Sequence, residues 1–140
     1  MIIDSNILIY AINEISPKHK IAQKFLRDNL GRLEITHQNI LETIRVLTHK
    51  HSPKPMGLKA TMDAIGNIGH SARIISPNLM TYYLASELIT SHNLTGNRIF
   101  DAYLTATALS NNIKIIATDN TRDFKKFKEI KVINPFVKIN

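Results

Sequence analysis

Several acidic residues of this chain fall where a predicted strand gives way to a helix, or close to a helix N-terminus. They are Asp4, Glu42, Asp101, Asp119 and Asp123. The carboxyl ends of parallel strands meet at one edge of an open α/β sheet, so these side chains are expected to face a common cleft. Carboxylates crowded in a cleft repel each other, and a divalent cation relieves that repulsion. Oxygen ligands in a chain without cysteine suit Mg²⁺ or Mn²⁺.

The chemistry that such a site favours is phosphodiester hydrolysis. A cation held by a few carboxylates keeps several waters, which can contact a phosphate and supply a nucleophilic hydroxide. The net charge of +7 favours a polyanionic partner such as nucleic acid. Taken singly, each acid is also explained as a helix cap or dipole partner, and the positive charge as a solvated surface.

Composition limits the other classes of function. The 140 residues predict a single domain, 1–140, and the hydrophobic fraction of 44% is typical of a globular chain. The absence of cysteine excludes disulfides, thiol nucleophiles and cysteine-based zinc sites, and suits a reducing compartment. No apolar run is long enough for a membrane span, and the first residues do not read as a signal peptide. The six histidines show no HExxH spacing.

Hydrophobic periodicity predicts strands that alternate with helices. The predicted strands are residues 1–4, 33–36, 73–75, 113–117 and 131–133. The predicted helices start near residue 7, at Ser16-Pro17, at a cap on Asn39, at 58, at Ser76-Pro77 and at 99. This alternation predicts an α/β domain with a mainly parallel sheet covered on both faces.

In the acids described above and the residues around them, the chain resembles PIN-domain ribonucleases, in particular the VapC-like toxins of bacterial and archaeal toxin–antitoxin pairs. The matching stretches appear in family order and span nearly the whole chain. They are IIDSNILIYAI (2–12), HQNILETIRVLT (37–48), NRIFDAYLTATAL (97–109), ATDNTRDF (117–124) and VINP near the end. The resemblance implies a three-layer α/β/α fold and Mg²⁺- or Mn²⁺-dependent cleavage of RNA by a metal-activated water.

The resemblance also implies roles for single residues. Asp4, Glu42 and Asp101 match the first three family acids and are the expected catalytic residues. Asp4 and Asp101 are the expected direct metal ligands, with Glu42 binding directly or through water. The residues expected to support the site are Ser5, Asn6, Thr118 and Asn120.

The fourth acid departs from the family pattern. The acid expected two positions after Thr118 is replaced by Asn120, which is flanked by Asp119 and Asp123. Either aspartate is a candidate for the missing metal ligand. Arg98, three residues before Asp101, is a candidate contact for an RNA phosphate, although an ordinary surface role in the first turn explains it slightly better.

Three functions stay open on this sequence. The first is an endoribonuclease toxin, for which the resemblance implies a cognate VapB-like antitoxin, a homodimer and a location in the prokaryotic cytoplasm. The second is a PIN-like module that binds nucleic acid or regulates without catalysis, which Asn120 favours. The third is a DNA-directed nuclease of the same fold. Partner contacts are expected on residues 51–57, 58–68 and 78–92.

Overall fold

The computed structural model describes residues 1–137, which form five strands and seven helices. The strands are β1 (Ile2–Ile3), β2 (Glu34–Thr36), β3 (Arg73–Ile75), β4 (Ile115–Ala117) and β5 (Lys131–Ile133). The helices are α1 (Ser5–Ile12), α2 (His19–Asp28), α3 (His37–Thr48), α4 (Leu58–Gly69), α5 (Leu79–Ser91), α6 (Arg98–Ser110) and α7 (Thr121–Phe124). All five predicted strands and the main helices are therefore confirmed.

The five strands form one sheet in the order β3-β2-β1-β4-β5, and every neighbouring pair is parallel. β1 lies at the centre, where Ile2 pairs with Glu34 on one side and with Ile116 on the other. The strand order reverses direction at β1, which is the point at which an open parallel sheet leaves a crevice for a ligand. Asp4 follows β1 directly at that point.

Helices cover both faces of the sheet and enclose two apolar cores. Ile2 and Ile116 face one core, with buried residues of α5, α6 and α7. Ile3 and Ile35 face the other core, with buried residues of α1 and α2 and partly buried ones of α3 and α4. Successive residues of β1 thus point to opposite cores, as strand geometry requires. The predicted three-layer α/β/α architecture is confirmed.

Three predicted helix starts were wrong, and for α3 and α5 a side-chain cap sets the start elsewhere, whereas α2 has no side-chain cap. α3 begins after Thr36, whose hydroxyl accepts from the Asn39 backbone N–H while the Asn39 side chain accepts from the Thr36 N–H. Asn39 therefore lies inside the helix instead of capping it, and Glu42 lies in the second turn of α3. α5 begins after Asn78, which caps it, and α2 begins at His19, two residues beyond Pro17.

None of the helices within residues 1–137 combines the length and apolar character that a membrane crossing requires.

Candidate active site

Asp4 caps α1 and is almost fully buried, with 7% of its surface exposed. Its carboxylate accepts hydrogen bonds from the Ser5 backbone N–H (2.7 Å), the Asn6 side-chain amide (2.6 Å) and the Thr118 hydroxyl (2.6 Å). Burial raises the pKa of Asp4, and the charge of Glu42 adds to the rise, although the bonds from Thr118 and Ser5 oppose it. Three hydrogen bonds therefore fix the orientation of the carboxylate, and all three donors are neutral groups.

Asn6 and Thr118 tie the end of β1 to the end of β4. The Asn6 amide donates to the Thr118 hydroxyl (2.9 Å), and its carbonyl accepts from the Asp119 backbone N–H (3.1 Å). The Thr118 hydroxyl also accepts from the Asn120 backbone N–H (3.0 Å). Thr118 thus uses its one hydrogen on Asp4 and both lone pairs on other donors, which leaves the hydroxyl with a single orientation.

Ser5 links Asp4 to Glu42. The Ser5 hydroxyl donates to Glu42 Oε2 at 2.8 Å and lies 3.4 Å from Asp4 Oδ1. The hydroxyl has a single hydrogen, which it donates to the nearer oxygen, that of Glu42. Ser5 therefore holds the Glu42 carboxylate close to the Asp4 carboxylate. On its other side Glu42 Oε1 accepts from the Gln38 amide (2.9 Å), which also donates to the Phe100 backbone carbonyl (3.2 Å).

Asp101 lies in the first turn of α6 and is partly buried. Burial raises its pKa to about 6, and the charges of Asp123, Asp4 and Glu42 add to the rise, while Lys126 opposes it. Three other carboxylates therefore lie near enough to disfavour its ionisation. Of the acids predicted to converge at the sheet edge, Asp4, Glu42 and Asp123 act on the charge of Asp101.

The two candidates for the fourth acid are held differently. Asp119 forms an ion pair with Lys18 and accepts from the Tyr10 hydroxyl (3.1 Å). Burial alone would raise the pKa of Asp119, but the bonds from Lys18 and Tyr10 outweigh it and the pKa is lowered. Asp123 accepts from the Asn120 side chain (2.6 Å) and acts on the charge of Asp101. Asp123, not Asp119, is the aspartate that adds to the negative charge at Asp101.

A cavity of about 790 Å³ lies between α3 and α6, and we call it the α3–α6 cleft. Of the candidate acids, Glu42 and Asp101 line it. The other lining residues are His37, Gln38, Leu41, Arg45, Pro77, Asn97, Phe100 and Tyr103. Arg98 lies exposed at the first residue of α6, and its contact with RNA stays a prediction.

The donor set of this region fits a hard divalent cation. In their present conformations, no three His, Asp or Glu side chains within residues 1–137 are close enough to enclose a metal ion. The charges of Asp123, Asp4 and Glu42 nevertheless act together on Asp101 and outweigh the opposing charge of Lys126, and all of the donor atoms of these side chains are carboxylate oxygens. Oxygen ligands and excess negative charge are what Mg²⁺ and Mn²⁺ select.

Sequence reasoning missed two sets of residues around the acids. Gln38 lies four positions before Glu42 on the same helix, a spacing that places both side chains on one face. That spacing could have identified Gln38. Lys18 and Tyr10 reach Asp119 over 101 and 109 residues of sequence, and no local pattern signals those contacts.

Comparison with known proteins agrees with this geometry. A family model described as the PIN domain matches residues 1–130. Ribonuclease VapC37 of Mycobacterium tuberculosis is 25% identical over an alignment of 140 positions that covers 96% of this chain and 96% of that protein. The predicted resemblance to VapC-like PIN-domain ribonucleases is confirmed.

Solved structures share the same fold. The crystal structure of VapC20 of Mycobacterium tuberculosis, a sarcin-ricin loop cleaving toxin, superposes with a TM-score of 0.70 at 16% identity, over 92% of this chain and 97% of that one. A toxin–antitoxin complex from Klebsiella pneumoniae gives a TM-score of 0.71 at 19% identity, over 98% of both chains. The family model spans β1 to β4 and ends just before β5. The superpositions show the same fold, and the match to the family model shows that the chain belongs to the PIN domain family.

Proposed function

We propose that this chain is a metal-dependent endoribonuclease and the toxin of a VapBC-like toxin–antitoxin pair. The observation that carries the proposal is the group of carboxylates around Asp101, of which Glu42 and Asp101 line the α3–α6 cleft. Asp101 has a pKa of about 6 because burial and the charges of Asp123, Asp4 and Glu42 oppose its ionisation. Ion-pair networks also perturb carboxylates, but a raised pKa in a cleft favours a functional site. The similarity to ribonuclease VapC37 supports RNA as the substrate.

Asp4 and Asp101 are the proposed direct ligands of Mg²⁺ or Mn²⁺, with Glu42 binding directly or through water. Asp123 is the proposed fourth carboxylate, because it acts on Asp101 whereas Asp119 is paired with Lys18. A bound cation would supply a nucleophilic hydroxide near neutral pH and stabilise the charge that develops on the phosphate.

The chain's own residues would prepare the site for that chemistry. Thr118 and Asn6 hold the Asp4 carboxylate in one orientation, so little reorganisation is needed when a cation arrives. Ser5 keeps Glu42 beside Asp4. Lys126, which already opposes the raised pKa of Asp101, is the nearby cation that an approaching phosphate would meet.

Asn120 bears on the alternative of a non-catalytic module. Its side chain donates to Asp123, an acid that acts on Asp101, so the loss of a carboxylate at 120 is accompanied by an acid held nearby. This arrangement favours the catalytic proposal over binding without cleavage. A DNA-directed nuclease of the same fold stays a second candidate, because phosphodiester chemistry at the acids does not distinguish the two polymers.

The proposed partners are a VapB-like antitoxin and a second copy of this chain, in a prokaryotic cytoplasm. Large apolar side chains are exposed on α4 and α5, the helices predicted to form contacts. They are Leu58, Met62, Leu79, Met80, Tyr82 and Tyr83. Exposed apolar groups of this kind support protein docking there, and the Klebsiella pneumoniae relative is a toxin–antitoxin complex.

A cleavage assay tests the proposal. Purified protein is incubated with matched RNA and DNA oligonucleotides in Mg²⁺ or Mn²⁺, with and without EDTA. We expect cleavage of RNA only, abolished by EDTA and by Asp101→Ala. Asp28→Ala is the control, because Asp28 is an exposed acid paired with Lys24 on α2, away from the cleft. Full activity in Asp101→Ala, or RNA that survives the wild-type protein in metal, would contradict the proposal.

A further inference from the structure

The α3–α6 cleft has an apolar wall that the proposed hydrolysis does not use. Phe100 and Leu41 both line the cleft, and 55% and 65% of their surfaces are exposed. Exposed large apolar side chains in a cleft cost solvation free energy unless a ligand covers them. Phe100 is adjacent in sequence to Asp101, so a ligand against its ring lies within one nucleotide of the acids.

From this arrangement we propose that the α3–α6 cleft binds one unpaired nucleobase of the RNA, next to the phosphate that is cut, with Phe100 as its stacking platform. The inference rests on the proposed ribonuclease function and adds the form of RNA selected. A base in a duplex must first unpair and unstack to enter a cleft, whereas an unpaired base pays no pairing cost, so the site favours an unpaired base.

The dimensions and the lining of the cleft suit a nucleobase. The volume of about 790 Å³ exceeds what one base needs and leaves room for its ribose and phosphate. The aromatic ring of Phe100 offers a face to any base, since stacking tolerates every sequence. Polar groups also line the cleft, namely the side chains of Arg45, Asn97 and His37, and these can hydrogen-bond to a base edge.

The charges favour nucleic acid over a purely apolar protein segment in this cleft. Arg45 lines it beside Glu42 and Asp101, so the apolar wall is short and bordered by charge. A docked amphipathic helix needs a longer apolar strip, such as those on α4 and α5. The net charge of +7 further concentrates polyanions at the surface.

The test combines one protein variant with one change in the RNA. An oligonucleotide with a single mapped cleavage site is prepared in three forms: intact, and with an abasic nucleotide at either position flanking the cut. Wild type, Phe100→Ala, Phe100→Trp and Ile21→Ala are compared by kcat/KM. Ile21 is the control, because it is a large apolar residue of α2 with 46% of its surface exposed and does not line the cleft.

We expect the abasic site on one flank to lower the kcat/KM of wild type by about tenfold or more, the size typical of one lost stacking contact. Phe100→Ala should lower kcat/KM on intact RNA by a similar factor and should no longer respond to that abasic site. Phe100→Trp should retain both activity and discrimination, and Ile21→Ala should behave as wild type.

Other outcomes overturn the inference. If the abasic and Phe100→Ala effects multiply independently, or if Phe100→Ala cleaves intact RNA normally, the ring does not contact the base. A variant that cleaves normally but loses self-association or antitoxin binding would make Phe100 part of a protein interface instead. If wild type cleaves RNA and only the stacking results fail, the ribonuclease function stands without this inference. If wild type cleaves no RNA in metal, both fail together.

Discussion

The carboxyl ends of β1 and β4 lie side by side in the sheet, and the aspartates that follow them are held in opposite ways. Asp4 accepts from the neutral groups of Ser5, Asn6 and Thr118, and its pKa is raised by burial. Asp119 is paired with Lys18 and its pKa is lowered despite partial burial. A carboxylate with only neutral donors keeps unbalanced charge, whereas one with a lysine has its charge balanced.

This difference in charge balance indicates that Asp4 is more available to a cation than Asp119. A metal ion bound at Asp4 would relieve charge that the protein leaves uncompensated. A metal ion bound at Asp119 would first have to displace the Lys18 ammonium, which also lies 5.2 Å from the ring centroid of Tyr10 and 5.1 Å from that of Phe136. We therefore propose metal binding at the end of β1 and a structural role for Asp119.

Replacing Asp4 and Asp119 in turn by asparagine is the strongest test of this difference. We expect Asp4→Asn to lower RNA cleavage by at least about a hundredfold, because it removes a proposed direct ligand and even outer-shell partners of metal ligands are worth ~10–100-fold. Asp119→Asn should cleave at nearly the wild-type rate. The measurement is kcat/KM at saturating Mg²⁺ or Mn²⁺. Equal losses in both variants would show that Asp119 takes part in the site.

Thr118→Val tests whether the orientation of Asp4 matters as well as its charge. The substitution keeps the shape of the side chain and removes the hydroxyl that bonds Asp4, Asn6 and Asn120. We expect apparent metal affinity to fall by ~10–100-fold, as for other groups that orient ligands. Thr118→Ser, which keeps the hydroxyl, should restore it. Metal titration by calorimetry measures the effect directly, and an unchanged affinity in Thr118→Val would reduce this hydroxyl to a structural role.

The sequence predicted the local part of this arrangement and not the long-range part. A buried run followed by Asp4, or a helix that carries Asp101, is visible within ten residues, so the fold class and these acids could be placed. That Asp123 and not Asp119 adds its charge at Asp101 could not be predicted, because Asp119 is paired with Lys18, which lies 101 residues away in sequence. The hydrogen bond from Gln38 to the Phe100 carbonyl joins residues 62 positions apart, so no local sequence pattern predicts it either.

The smallest expected effects are on stability, and they should have opposite signs. The raised pKa of Asp101 means that its ionisation destabilises the fold, and this penalty grows as the pH rises from about 4 through about 6. The lowered pKa of Asp119 means that its ionisation stabilises the fold above its unfolded pKa, and this stability is lost as the pH falls through the folded value. At pH 7 in EDTA, Asp101→Asn should therefore raise Tm and Asp119→Asn should lower it.

Each change in Tm should be a few degrees, because the partly exposed pair of Asp119 with Lys18 is worth at most about 1 kcal/mol, and 1 kcal/mol shifts Tm by roughly 2–8 °C in a domain of this size. Lys18→Met should lower Tm at pH 7 as Asp119→Asn does, and the double variant should cost little more than either single one. Near pH 4 the gain from Asp101→Asn should largely disappear, because the wild-type carboxyl is then protonated. A rise in Tm for Asp119→Asn, or a gain for Asp101→Asn that persists at pH 4, would contradict the assignment of Asp101 as the uncompensated carboxylate and Asp119 as the compensated one.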